Sequence, residues 1–145
     1  MSDENMNPKD ALGIAKNPHC CVPLTVLAEL GVAMMEGARK YGRHNYRCVD
    51  IRASVYYDAA RRHLDAWWEG EDIDPDSGIH HIVKAIASLA VCRDGDIQGK
   101  LYDDRPPKTS PEFYKHLAEI TSGVIKKYPE CVKPYTHRRN TDETD

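Results

Sequence analysis

Apolar residues along this chain recur three and four positions apart, and strand-like alternation is nearly absent, so the pattern predicts a mostly α protein. Pro23 opens a first helix that runs to about Tyr41, with Leu24, Leu27, Leu30, Val32, Met34 and Met35 as its apolar surface and Gly42 as its stop. Residues 42–53 read as a basic, aromatic loop carrying Arg43, His44, Asn45, Tyr46, Arg47 and Arg52. Ser54 is placed to cap a second helix that ends at Gly70. Asp76 or Ser77 then caps a third helix to about Arg93, closed by Asp94-Gly95-Asp96. Ile79, Ile82, Val83, Ile86, Leu89, Ala90 and Val91 cover most of its circumference, which predicts a central or subunit-facing position. Beyond Pro106-Pro107 a weaker fourth helix is expected from Pro111 to about Lys127.

The organisation that follows is a polar N-terminal arm over 1–20, a catalytic helical domain over 21–105, and a C-terminal helix with a polar tail over 106–145. With 145 residues and 41% apolar composition the chain can bury one core. Its net charge of −3 gives no support for coating nucleic acid, so any anion site must be local and no stable nucleic-acid binding is expected. Five cysteines without a Cys-x-x-Cys fit reduced thiols better than a disulfide framework or a zinc ribbon. No apolar run approaches the roughly 18 residues that span a bilayer, and the first residues lack a secretion signal, so a cytoplasmic protein without a membrane partner is expected.

Candidate chemistry lies between Glu36 and His81, where carboxylates cluster with Lys, Arg and His. Oxygen ligands suit Mg²⁺ or Mn²⁺, and cations absorb the charge of a leaving pyrophosphate, so the mixture points to cleavage of a phosphoanhydride. In an antiparallel hairpin of the first two helices, Glu36 would meet Asp58 and share a cation with it. Four acids, Glu71, Asp72, Asp74 and Asp76, crowd one turn and repel one another unless a cation or basic partner offsets them. His63 sits on a face with Ala59, Ala66 and Trp67, where a hydrogen-bonded core histidine is as reasonable as a ligand. Asp65 and Glu69 read equally well as a solvated charged face, and Trp67-Trp68 as packing.

The order Gly37-Ala-Arg-Lys40-Tyr41-Gly42-x-x-Asn45-Tyr46, then Asp58-Ala-x-x-Arg62-His63-Leu64, then Gly70-Glu71-x-x-Asp74-x-x-x-Gly78-x-x-His81 resembles the phage-type dATP/dGTP diphosphohydrolases, members of the MazG-like all-α NTP pyrophosphohydrolases. Within that family it is similar to the MazZ-type enzymes of phages that replace adenine with 2-aminoadenine. The resemblance covers about residues 23–93. It implies an oligomeric helical bundle of about four helices, a dimer or tetramer, that uses Mg²⁺ or Mn²⁺ to cleave a purine (deoxy)nucleoside triphosphate between the α- and β-phosphates. In the MazZ-type case the substrate is (d)GTP, and dGMP feeds 2-aminoadenine nucleotide synthesis.

The usual MazG-like signature carries Glu-x-x-Glu on one helix and Glu-x-x-Asp on the next, whereas here Glu36 and Asp58 stand without those helical partners. Glu71 and Asp74 are the expected replacements, giving Glu36, Asp58, Glu71 and Asp74 as ligands of two or three ions. Glu36, Lys40, Arg62 and His63 form the expected catalytic set, with Lys40 and Arg62 on the leaving pyrophosphate. Asn45 and Tyr46 are expected at the base and His81 at phosphate oxygens. An HD-type triphosphohydrolase is the rival enzyme class, but its adjacent His-Asp pair is absent. A non-catalytic helical module binding through 43–52 is the rival outside enzymes.

Overall fold

The computed structural model describes residues 7–137 and is mostly helical. Its helices are α1 (Pro8–Gly13), α2 (Leu24–Tyr41), α3 (Ala53–Trp68), α4 (His81–Ile97) and α5 (Pro111–Lys127), with two-residue strands β1 (Ile51–Arg52) and β2 (Leu101–Tyr102). Among the described residues no helix is long and apolar enough to cross a membrane. Chain contacts divide the protein into two units, Met1–Arg105 and Pro106–Asp145.

In the first unit α4 is the central element, packed on α3 most extensively and on α2 as well. The expected hairpin of the first two long helices does not form: α2 and α3 each lean on α4 and scarcely touch one another. The buried apolar residues, Ala33, Ile51, Ala53, Ala60, Val83 and Ala85, are mostly small, which lets helix backbones approach closely. Many larger apolar side chains on α2 and α3 stay exposed, among them Leu24, Leu27, Met35, Val55 and Trp68.

Helix α2 begins after Pro23 and ends at Gly42, whose φ of 90° no other residue type adopts without strain. Helix α3 departs from expectation at its start. Arg52 stands at the N-cap, and Ser54 lies inside the first turn, where its N–H and Oγ both donate to the Asp104 carboxylate at 2.9 and 2.5 Å. An acid from fifty residues away thus satisfies the free amides at the positive end of the helix. Ser54 also follows a strap the sequence pattern did not show, the parallel pair β1–β2, in which Ile51 sits opposite Leu101.

Helix α4 is displaced at both ends. Asp76 and Ser77 cap a turn rather than the helix: Ser77 Oγ donates to Asp74, Asp74 N–H to Ile79 O, and a short antiparallel bridge joins Ile73 to His80. The cap of α4 is His80, whose Nδ1 accepts from the Ile82 amide at 3.2 Å. At the far end the helix runs through Asp94-Gly95-Asp96 to Ile97 instead of closing there. Gly95 is used there for close approach, since a Cβ at that position would collide with the Ile51 side chain.

Residues 7–20 contribute no buried side chain; α1 is short and capped by Asn7, whose side chain accepts from the Lys9 amide at 2.9 Å. In the second unit Ser110 caps α5 and Pro111 occupies its first turn, as the fourth helix was expected to begin. Its apolar positions Phe113, Leu117, Ile120 and Val124 are all exposed.

Candidate active site

Because α2 and α3 diverge over α4, they leave a cleft of about 1150 Å³ between them. Its walls are the last three turns of α2, the loop to Tyr46, and Val55, Tyr56, Ala59, Arg62 and His63 on α3. Its floor is the stripe Lys84, Ala87, Ser88 and Val91 on α4. Arg39, Lys40, Arg43, Arg62 and Lys84 line it, and Glu36 is the one carboxylate among its lining residues. A chain with net negative charge therefore concentrates cations in one concavity, which favours a polyanionic ligand.

Glu36 holds the centre of the charge arrangement. Lys40, one turn later on α2, donates to its Oε1 at 2.5 Å, and Lys84 from α4 donates to its Oε2. Lys40, and after it Lys84, hold the Glu36 carboxyl below the usual carboxylate range, and Glu36 in turn raises Lys40. The Lys84 ammonium also lies 3.8 Å from Asp74 Oδ2, so one cation bridges the two carboxylates. Asp74 is held low chiefly by the Ser77 hydroxyl. The 71–80 turn, folded back through Ile73 and His80, thus sets Asp74 against Lys84 from behind the cleft floor.

His63 and His81 meet Nδ1 to Nδ1 at 2.9 Å. One ring must donate and the other accept, so the pair shares a proton. Burial, then the His81 ring, lowers the His63 pKa. His81 is 4% exposed, and its Nε2 finds no hydrogen-bond partner although Glu71 Oε2 lies 3.9 Å away. An Nδ1–H on His63 together with Nε2–H on His81 satisfies the contact and directs the buried N–H toward that carboxylate.

Of the residues singled out in the sequence, Glu36, Lys40, Asn45, Tyr46, Arg62 and His63 line the cleft, and Asp74 and His81 touch its lining from behind. Glu71 lies outside the cleft, with its carboxylate 3.9 Å from His81 Nε2. Asp58 is exposed on α3, outside the lining, without an ion pair among the described residues. The expected four-acid ligand set is not gathered in one chain, and among the described residues no three His, Cys, Asp or Glu side chains are disposed about a common cation. What does converge is the pair Glu36 and Asp74, hard oxygen donors of the kind Mg²⁺ and Mn²⁺ take, about a point held by an ammonium.

Lys84 escaped the sequence reading. Its only sequence signal is a lone lysine in the apolar run Ile82-Val83-Lys84-Ala85-Ile86. Arg47, counted with the basic loop, is committed elsewhere: Nε and Nη2 grip the two oxygens of Asp94, both at 2.7 Å, and pin the loop that carries Asn45 and Tyr46 to α4.

Residues 6–105 match the family model described as dATP/dGTP diphosphohydrolase, N-terminal. No curated protein and no solved structure matches the chain.

Proposed function

The chain belongs to the dATP/dGTP diphosphohydrolase family, and on that premise we propose that it hydrolyses a purine (deoxy)nucleoside triphosphate, with dGTP or GTP preferred, between the α- and β-phosphates. Water attacks the α-phosphorus, the bond to the bridging oxygen breaks, and the products are the nucleoside monophosphate and pyrophosphate. The observation that carries this reading is the concentration of Lys40, Arg62 and Lys84 with His63 in a cleft whose lining residues include one carboxylate, Glu36.

Arg62 and Lys40 neutralise the leaving pyrophosphate, Arg62 through its planar fork. His63 orients phosphate oxygens from the cleft wall and is itself oriented by His81. Asn45 and Tyr46, held by the Arg47–Asp94 clamp, meet the base, the amide reading its edge and the ring stacking on it. Glu36 and Asp74 would hold the Mg²⁺ or Mn²⁺, two or three ions in all with the substrate phosphates as further ligands, which would supply Lewis acidity and a lowered water pKa.

Assembly into a dimer or tetramer belongs to the same proposal. The exposed apolar faces of α2 and α3 are surfaces a second copy would cover. The product dGMP would serve a phage pathway to 2-aminoadenine nucleotides. Incubation with each of the eight (d)NTPs plus Mg²⁺ or Mn²⁺, with an EDTA control, tests the reading by anion-exchange chromatography. Monophosphate plus pyrophosphate from a purine substrate is expected; nucleoside plus tripolyphosphate, or no turnover, would overturn it.

A further inference from the structure

Lys84 lies in this cleft, and no step of the proposed reaction is assigned to it. It rises from the floor on α4, is 16% exposed, and places one ammonium against Glu36 from α2 and Asp74 from the 71–80 turn. Those two carboxylates come from segments far apart in sequence, so their approach to one point is built by the tertiary fold. Side by side without a cation they would repel, and the cost grows as water is excluded from the floor.

Taking the cleft to be the nucleotide site proposed above, we propose that Lys84 is an internal counter-cation that stands between Glu36 and Asp74 in the nucleotide-free protein and must be displaced for a divalent ion to bind there. The two states exchange one cation for another. Without the ion, the ammonium lies against both acids and offsets their mutual repulsion. With it, a doubly charged ion takes the carboxylate oxygens and repels the ammonium, which is released into the cleft beside Lys40 and Arg62.

Glu36 retains Lys40 in either state, so its charge is never left uncompensated by the exchange. Lys40 cannot serve as the displaceable cation in the same way, because its one ion pair among the described residues is with Glu36 in the adjoining turn and it is about half exposed. The consequence is a penalty on ion binding to the free protein, because the carboxylates must give up an ammonium they already hold. Removing that ammonium while keeping an aliphatic stem should therefore tighten ion binding, the reverse of what removing an ordinary site residue does.

The test is calorimetric titration of the nucleotide-free full chain with MnCl₂. Lys84→Met is expected to bind Mn²⁺ roughly tenfold more tightly than the wild type, and Lys84→Arg, which keeps a cation between the acids, to bind it as the wild type does. Unchanged or weaker Mn²⁺ affinity in Lys84→Met would overturn the proposal. Lys84→Gln provides the same comparison if the Met variant loses its helical circular dichroism. Wild-type dGTP hydrolysis measured on the same preparation separates the two readings. Turnover without a gain of affinity in the variant rejects the role of Lys84 alone, whereas absent turnover rejects the nucleotide reading and leaves the Mn²⁺ comparison to decide on Lys84.

Discussion

His63 and His81 share one proton across a 2.9 Å contact between their Nδ1 atoms, and the His81 ring is buried beneath it. Protonating both rings would break that contact and place two like charges side by side. Burial has already lowered the His63 pKa in the folded state. The unfolded chain therefore binds the proton more readily, and stability present above about pH 6.5, the ordinary histidine value, is lost as pH falls through the lower folded value. Thermal unfolding followed between pH 7.5 and 5 should show the melting temperature dropping in the wild type and a flatter profile in His63→Gln. An identical slope in the two proteins would refute the assignment.

Gly95 lies inside α4, where alanine would ordinarily gain about 1 kcal/mol of helix propensity. Here the added methyl meets the Ile51 side chain, and overpacking of that kind costs about 1–3 kcal/mol. The clash should win, so Gly95→Ala is expected to lower stability in urea. Shortening the partner relieves the collision: Ile51→Val alone costs about 0.5–1.5 kcal/mol, yet in the double variant it should recover most of the loss. A double-mutant cycle with no coupling would show that α4 and β1 do not press on each other there.

The long helices were legible because local signals agree over many residues: Pro23 and Gly42 bracket α2, and Pro111 opens α5. The all-α class followed from the same periodicity. What was not legible depends on residues distant in sequence. Asp76 and Ser77 are chemically as good for a turn as for a helix cap, and the Ile73–His80 bridge decides between them. Asp94-Gly95-Asp96 reads as a stop until Ile51 is packed against Gly95. Strands of two residues are too short to alternate, so β1 and β2 left no pattern. The cleft residues Glu36, Lys40, Arg62 and His63 could be named because their side chains are unusual in type and order. Lys84 could not, because its meaning is supplied by a helix and a turn that lie beside it only in the folded chain.

Glu36→Gln preserves shape and removes the charge that Lys40 and Lys84 both grip. In the proposed reaction it should lower kcat by about 10²–10³ while leaving the helical content intact. Addition of EDTA to the wild type should abolish turnover, and Mn²⁺ should restore it. Full activity in Glu36→Gln would remove Glu36 from both the ion site and the catalytic set.

Arg62 and Arg47 offer a contrast within one cleft region. Arg62 lines the cleft and makes no ion pair among the described residues, so no fold contact depends on its charge. Arg47 is held at both ends of its fork by Asp94, and this clamp positions the loop of Asn45 and Tyr46. Arg62→Ala should therefore cut turnover by about 10²–10³ with a melting temperature close to that of the wild type, as for an exposed substitution. Arg62→Lys should recover only part of the rate, since an ammonium cannot make two parallel bonds to a phosphate. Arg47→Ala should instead lower the melting temperature and raise KM, because the base-facing loop loses its anchor while the phosphate contacts remain. Steady-state kinetics paired with thermal unfolding of the three variants checks the assignment, and turnover within twofold of the wild type in Arg62→Ala would take Arg62 off the leaving group.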